Sequence, residues 1–356
     1  MSSSGTALPA IVAPPHFPRT RYQGSKRKLA ATIVEQLRDL EFTTVLDAFG
    51  GTGAVAYALK KLGKHVTYND ILAFNHQIGL ALIENDSVRL GDEEIETIGV
   101  RRDGVSYGDF IERTFAGIYF TDEENRWLDI AVGNIRRIEN RYRRAIGWFA
   151  LFQSAMAKRP YNLFHRSNLY MRTADVTRSF GNKATWDRSF EEHSRRFAED
   201  ANAAVIDGGG ACRAICRDAL DVEPAFDLVY IDTPYINHAG TGVDYRQFYH
   251  FLEGMVRYEE WPALIDDRLK HRPLARVDQP WSDPGRCRKL FQRLFSRFRD
   301  SILVVSYRSD GIPSVEELAE MLGSAKQRVQ VIDGPFYKYA LSTNSQSKEV
   351  LLIGGD

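Results

Sequence analysis

The residues Asp232-Thr233-Pro234-Tyr235 put a carboxylate, a backbone carbonyl and an aromatic ring within one short turn. An amino group on an aromatic base is a weak nucleophile, because its lone pair is delocalised into the ring. A carboxylate accepting one N–H, with the Thr233 carbonyl accepting the other, favours a pyramidal nitrogen whose lone pair can attack an electrophilic carbon. Tyr235 would offer a stacking surface to such a base once it is turned out of its helix. Pro234 stiffens the turn. Taken alone, the tetrapeptide equally describes an Asp that starts a turn before proline.

A second group with chemical potential is Asp47-Ala48-Phe49-Gly50-Gly51-Thr52-Gly53, followed by Asp70. Glycines at a strand-to-helix turn let the backbone bend tightly and let a nucleotide-like ligand approach the helix N-terminus. Gly51-x-Gly53-x-x-Ala56 also meets the loose dinucleotide pattern, with Asp70 where a ribose-binding acid would fall. The segment therefore admits both NAD and S-adenosylmethionine (SAM). Asp47 leans towards SAM, because its carboxylate would attract the cofactor's α-ammonium and repel a pyrophosphate.

These groups need elements to hold them. Leu29, Ile33, Val34 and Leu37 have helical spacing. Residues 44–49 read as a strand entering the glycine turn, 54–62 as a small-residue helix, and 65–70 as a second strand closing on Asp70. Strand character returns at 226–232, 301–307 and 349–353, with mostly helical, polar sequence over 72–200. This predicts an α/β protein with a Rossmann-like core and an inserted, mainly helical domain. The expected division is a flexible arm over 1–18, a core over 19–71 and 201–356, and a helical insertion over 72–200. A smaller insertion is expected over 237–296, in contact with DNA.

The 356 residues are 44% hydrophobic and 26% charged, which argues against a disordered or fibrous chain. No apolar run reaches the roughly eighteen residues that a membrane span requires. Cys212, Cys216 and Cys287 are not clustered as metal ligands, so reduced thiols, no metal and a cytoplasmic location are expected. The formal net charge is zero, but its distribution is uneven. Residues 126–196 hold fifteen Lys/Arg against six Asp/Glu, and residues 268–299 hold ten against two. Two basic blocks suit a chain that holds a polyanion, and equally suit solvated helix faces.

Four segments, in order, resemble the Dam-like, alpha-group DNA adenine-N6 methyltransferases. Arg21-Tyr22-Gln23-Gly24-Ser25-Lys26 is similar to that family's N-terminal K-W-A-G-G-K box. Residues 45–53 are similar to its F-V-D-x-F-x-G-x-G motif, and Asn69-Asp70-Ile71 to its N-D-I. Residues 227–235 are similar to its D-x-V-Y-x-D-P-P-Y segment, with Thr233 in place of the first proline. The resemblance implies SAM as cofactor and methyl transfer to N6 of a flipped adenine in duplex DNA. It implies Asp232, Thr233, Pro234 and Tyr235 as the catalytic turn. Tyr22, Gly24, Lys26, Asp47, Phe49, Gly50, Gly51, Gly53, Asp70, Asp218 and Asp232 would line the cofactor site. Residues 72–200 would stand in place of the target-recognition region, where Lys158 and Arg159 could bind phosphates and Asn162 and Arg166 could read DNA. A cognate restriction endonuclease is a further partner of the kind this resemblance admits. Cytosine-N4 or RNA methylation, and a catalytically silent protein that binds SAM and DNA, are the alternatives.

Overall fold

The computed structural model describes residues 16–174, 183–336 and 347–356. Residues 1–15 of the expected arm lie outside the described residues. Seven strands form one sheet: β1 (Thr44–Asp47), β2 (His65–Asn69), β3 (Arg213–Ile215), β4 (Leu228–Ile231), β5 (Ile302–Arg308), β6 (Arg328–Phe336) and β7 (Lys348–Gly355). Their order is β3-β2-β1-β4-β5-β7-β6. The first five are parallel to their neighbours, whereas β7 runs antiparallel between β5 and β6. Five of the strands coincide with sequence expectation. β3 and β6 do not, because a three-residue edge strand and a strand interrupted by charged residues carry little apolar signal.

Alternation along the strands builds a core on each side of the sheet. Val45, Leu228 and Tyr230 face one cluster, whereas Leu46, Val229 and Ile231 face the other. This is the period of two expected of side chains on a pleated strand. Helices α1 (Ala30–Gln36), α2 (Ala54–Lys61) and α3 (Ala73–Gly79) follow or precede the first strands. They supply Ile33, Val55, Leu59, Phe74 and Ile78 to the first cluster.

Residues 72–200 carry no strand among the described residues. Their main helices are α4 (Asp122–Arg136), α5 (Arg141–Ala157) and α6 (Phe190–Ala204). Thr121 with Glu124 and Ser189 with Glu192 cap α4 and α6 reciprocally, satisfying backbone amides that the first turn leaves unpaired. Helix α5 is buried on every side from Ala145 to Ala157, which explains its weak amphipathicity.

The smaller insertion expected over 237–296 does not stand apart. Helix α7 (His250–Val256) places Phe251 on Phe164, rings parallel and 5.0 Å apart, inside the helical layer. Helix α8 (Cys287–Arg297) instead packs Phe291, Leu294 and Phe295 against the opposite face of the sheet, beside Leu318 and Leu322 of α9 (Val315–Gly323). The apolar residues in these stretches thus serve two existing cores and not a third one.

Candidate active site

Strand β1 is flanked by β2 and β4, so the carboxyl ends of three adjacent strands deliver Asp47, Asp70 and Asp232 to one region. This is the kind of position at which open α/β sheets bind ligands. The glycine turn above β1 is shaped by close approach. A Cβ on Gly50 would stand 2.1 Å from the Tyr68 ring, so no larger residue fits without moving it. Gly53 caps α2 with φ of 74°, a left-handed conformation that glycine adopts without steric cost.

Asp70 is held by three donors: the Gly51 amide at 2.9 Å, the Leu72 amide at 2.8 Å and the Asn75 side chain at 3.0 Å. Burial outweighs these bonds and lifts its carboxyl to about 6. Asp47 is 1% exposed, and its Oδ1 has no hydrogen-bond partner among the described residues. Burial, then the charges of Asp232 and Asp70, push its carboxyl up to about 8, although the Ala56 and Phe49 amides act the other way. A buried carboxylate oxygen without a donor is costly, and a cation placed there would relieve it.

Asp232 belongs to a compact group assembled from distant parts of the chain. Lys26 comes from a one-turn 3-10 helix, Lys26–Lys28, capped by the Ser25 side chain. Its Nζ lies 2.8 Å from Asp232 Oδ1, 2.5 Å from the Tyr235 hydroxyl and 3.4 Å from Glu349 Oε1. The Tyr235 hydroxyl donates to Asp232 at 2.6 Å and lies 3.0 Å from Glu349 Oε1, which also accepts a short bond from Ser306. Burial works against the Lys26 charge, but Asp232 and Glu349 more than restore it, so the ammonium is held above its ordinary range. Burial raises the Asp232 carboxyl, with Lys26 lowering it and Glu349 raising it further. The Asp232 side chain keeps 16% of its surface, against 6% for Lys26 and 5% for Glu349. Asp232 is therefore the member of the group presented to a ligand.

Lys26, Asp232 and Tyr235 border one cavity of about 360 Å³ together with Asp47 and Asp70. Of the expected cofactor residues, Tyr22, Gly24, Lys26, Asp47, Phe49, Gly50, Gly51, Asp70, Asp218 and Asp232 line it, whereas Gly53 lies behind the wall as the α2 cap. Tyr22 stacks on Tyr249 with ring centres 4.5 Å apart. Asp218 caps a short turn by accepting from the Leu220 amide at 2.9 Å. Thr233, Pro234 and Tyr235 also reach the cavity.

Two features of the turn go beyond the sequence expectation. The Tyr235 ring, at 7% exposure, is edge-on to Tyr307, and its hydroxyl is engaged by Lys26, Asp232 and Glu349. Its hydroxyl braces Asp232 here, while the residue still borders the cavity. Thr233 is also buried, and its hydroxyl has no partner among the described residues. Sequence reasoning missed Glu349, Tyr245 and Trp281, although the last two line the cavity from the 237–296 segment. Their signal would have been visible only with the tertiary contacts in hand.

A model of the D12 class N6 adenine-specific DNA methyltransferase family matches residues 22–279, a span that includes Lys26, Asp47, Asp70 and Asp232. The chain belongs to this family. It is a site-specific adenine DNA methyltransferase. It is 29% identical to the type II methyltransferase M2.HphI of Haemophilus parahaemolyticus, over 95% of this chain and 98% of that one. It is 24% identical to the modification methylase StsI of Streptococcus sanguinis, covering 93% of this chain and 50% of that one. For the type II methyltransferase M.FokI of Planomicrobium okeanokoites the identity is 23%, over 93% of this chain and 51% of that one. The chain thus spans about half the length of the latter two. Family membership overturns the NAD reading and decides for adenine in DNA over cytosine-N4 and RNA.

The methyltransferase uses its basic residues differently from expectation. Lys158 and Arg159 are 2% and 1% exposed, so they are not free to reach a phosphate. Lys158 pairs with Glu124 at 2.9 Å and donates to the carbonyls of Trp186 and Arg188. Arg159 lies over the Tyr119 ring at 4.3 Å and donates to the carbonyls of Leu163 and Arg166. Both are struts of the helical layer, because each buried cation has found carbonyls or a carboxylate that offset its desolvation. Arg166 is exposed and Asn162 half-buried. No helix among the described residues is long and apolar enough to cross a membrane, and none of their side chains form a group of three or more that could hold a metal.

Proposed function

We propose that this methyltransferase takes its methyl group from SAM and delivers it to N6 of an adenine turned out of duplex DNA, with Asp232 at the reacting nitrogen. The observation that carries this reading is the unpartnered Oδ1 of Asp47 on the same cavity as Asp70 and Asp232. SAM offers an α-ammonium for Asp47, and ribose hydroxyls for the Asp70 carboxylate. When bound, it supplies an electrophilic methyl group on a sulfonium sulfur. Asp232 accepts one N–H of the adenine amine, and the Thr233 carbonyl accepts the other, which frees the nitrogen lone pair to point at the methyl carbon. Because a sulfonium would depart as a neutral thioether, no residue of the chain would be needed as an acid at that sulfur. Tyr235 and Lys26 hold the Asp232 carboxylate in place during this step.

Radiolabelled SAM with duplex DNA, single-stranded DNA and RNA tests the reading. Label in adenine of the duplex is expected, and label confined to RNA would reject it.

The state of Asp47 gives a pH prediction. Its carboxyl, lifted to about 8, must lose a proton to pair with an ammonium. SAM binding should therefore release a proton near neutrality, and affinity should rise by up to about tenfold per pH unit between pH 6 and 7.5. Above that range the ligand's own ammonium begins to deprotonate, near the ordinary α-amino range of about 7.7–8.0, so the gain stops. Calorimetry in buffers of different ionisation enthalpy measures the proton. Asp47→Asn should abolish the release and weaken binding by about 10- to 100-fold. An unchanged proton count in that variant would exclude Asp47 as the ammonium's partner.

We further propose that Arg166 and Asn162 contact the duplex while Lys158 and Arg159 support the fold. Arg166→Ala should reduce the salt dependence of DNA affinity by about one contact with little change in unfolding temperature. Arg159→Ala should lower the unfolding temperature instead. The reverse pattern in melting and salt titrations would reject this assignment. Relatives named as modification methylases support a modification role, with a cognate restriction endonuclease as functional partner.

A further inference from the structure

The chain has five tryptophans, and the structure uses them differently. Trp148, Trp186 and Trp261 are buried, at 8% exposure or less. Trp127 is half-buried and stacks on Phe190, ring centres 5.1 Å apart. Trp281 is also half-buried, and among the described residues it is the one tryptophan that borders the cavity of Asp47, Asp70 and Asp232. Its ring meets Phe49 of the glycine turn edge-to-face at 5.2 Å, and Phe291 of α8 in the same way at 5.4 Å. An indole kept at a cavity wall forgoes part of its hydrophobic gain, which a planar ligand would restore.

The backbone that carries Trp281 is fastened on both sides. Before it, Arg246 donates to the Ala275 carbonyl at 2.6 Å, and the Gln247 side chain donates to the Leu274 carbonyl at 2.9 Å. After it, the Ser282 hydroxyl donates to the Val243 carbonyl at 2.7 Å, and the Val243 amide donates to the Tyr235 carbonyl at 3.2 Å. Gly242 permits this approach, since a Cβ there would stand 2.4 Å from the Ser282 carbonyl oxygen. Arg286 holds the segment from outside by pairing with Asp278 and, at 3.1 Å, with Asp283. Trp281 is thus tied through its neighbour to the Asp232 turn, while its ring rests on the glycine turn. The fold sets the place of the ring before any ligand arrives, as a precise binding surface requires.

We propose that Trp281 is a binding residue that stacks on an adenine ring in this cavity. The inference rests on the reading that SAM and a flipped adenine meet here, and both of them carry that ring. A purine has two broad apolar faces and a polar edge. Asp47, Asp70 and Asp232 can serve only polar groups. The indole supplies the face contact that they lack, and its rigid ring loses little rotamer freedom in doing so. Stacking differs from apolar filling in what can replace it: Phe retains a ring, whereas Leu retains only bulk.

The test is equilibrium binding of SAM to the full-length protein, with and without duplex DNA, for the unsubstituted chain and for Trp281→Phe, Trp281→Leu and Trp281→Ala. A stacked purine quenches indole emission, so tryptophan fluorescence reads the contact, with Trp281→Phe supplying the background of the other tryptophans. If the ring is the cofactor's, SAM alone quenches the Trp281 emission. Its affinity then falls about 5- to 100-fold in Trp281→Ala and Trp281→Leu, but stays within about threefold in Trp281→Phe. If the ring is the target's, SAM affinity without DNA holds in every variant and quenching waits for the duplex. The same order of losses then appears in KM for the duplex. Trp281→Leu matching Trp281→Phe towards both ligands would overturn the proposal. So would Trp281 emission left unaltered by SAM and duplex together. Should Trp281→Ala fail to fold, Leu against Phe decides, because both keep apolar bulk beside Phe49. An unsubstituted protein that neither binds SAM nor methylates adenine would instead reject the functional reading beneath the proposal.

Discussion

Replacing Asp232 with Ala should lower the single-turnover rate of methyl transfer by at least about a thousandfold, since it removes both the oriented acceptor and the negative charge beside the developing cation. The fold should survive, because Lys26 keeps a carboxylate partner in Glu349 at 3.4 Å. SAM affinity in the absence of DNA should fall far less than the rate. Rapid-quench transfer assays and circular dichroism melting measure the two effects. A variant that retains more than a tenth of the rate would remove Asp232 from the chemistry.

Lys26→Ala should do the opposite damage. It leaves Asp232 and Glu349 buried near one another without the ammonium that both approach. Breaking a buried ion pair on one side costs about 3–5 kcal/mol, a large fraction of the stability of an ordinary domain. The loss has a pH sign. Carboxyls whose folded-state affinity for protons is raised destabilise the fold as pH rises above their ordinary range, so the variant should be weaker at pH 8 than at pH 5. Urea unfolding at both values measures this. A cost below about 1 kcal/mol at pH 8 would mean that Lys26 is dispensable to the group.

Much of the site was legible because its main parts are contiguous. Asp47 to Gly53, Asp70 and the tetrapeptide at 232–235 each end a strand, and an apolar run followed by Gly or Pro announces such an end without an alignment. Their convergence comes from the sheet order, which sets β1 between β2 and β4. Glu349 was not legible as a site residue. The closing strand was recognisable, yet which of its side chains would reach Lys26 depends on the β5–β7 register, which no local pattern encodes. Lys158 and Arg159 illustrate the converse. They have the residue types of a phosphate clamp, but Glu124, Tyr119 and several carbonyls from other segments bury them. Tyr235 was found for its ring, whereas the structure engages its hydroxyl.

The central claim is that the Asp232 turn delivers a methyl group to the exocyclic amine of adenine. It is tested most directly by incubating purified protein with SAM and unmodified duplex DNA, digesting the product to nucleosides and separating them by mass spectrometry. N6-methyl-2′-deoxyadenosine appearing with the unsubstituted protein and vanishing with Asp232→Ala is the predicted result. N4-methyl-2′-deoxycytidine as the product, or N6-methyl-2′-deoxyadenosine undiminished in Asp232→Ala, would contradict it.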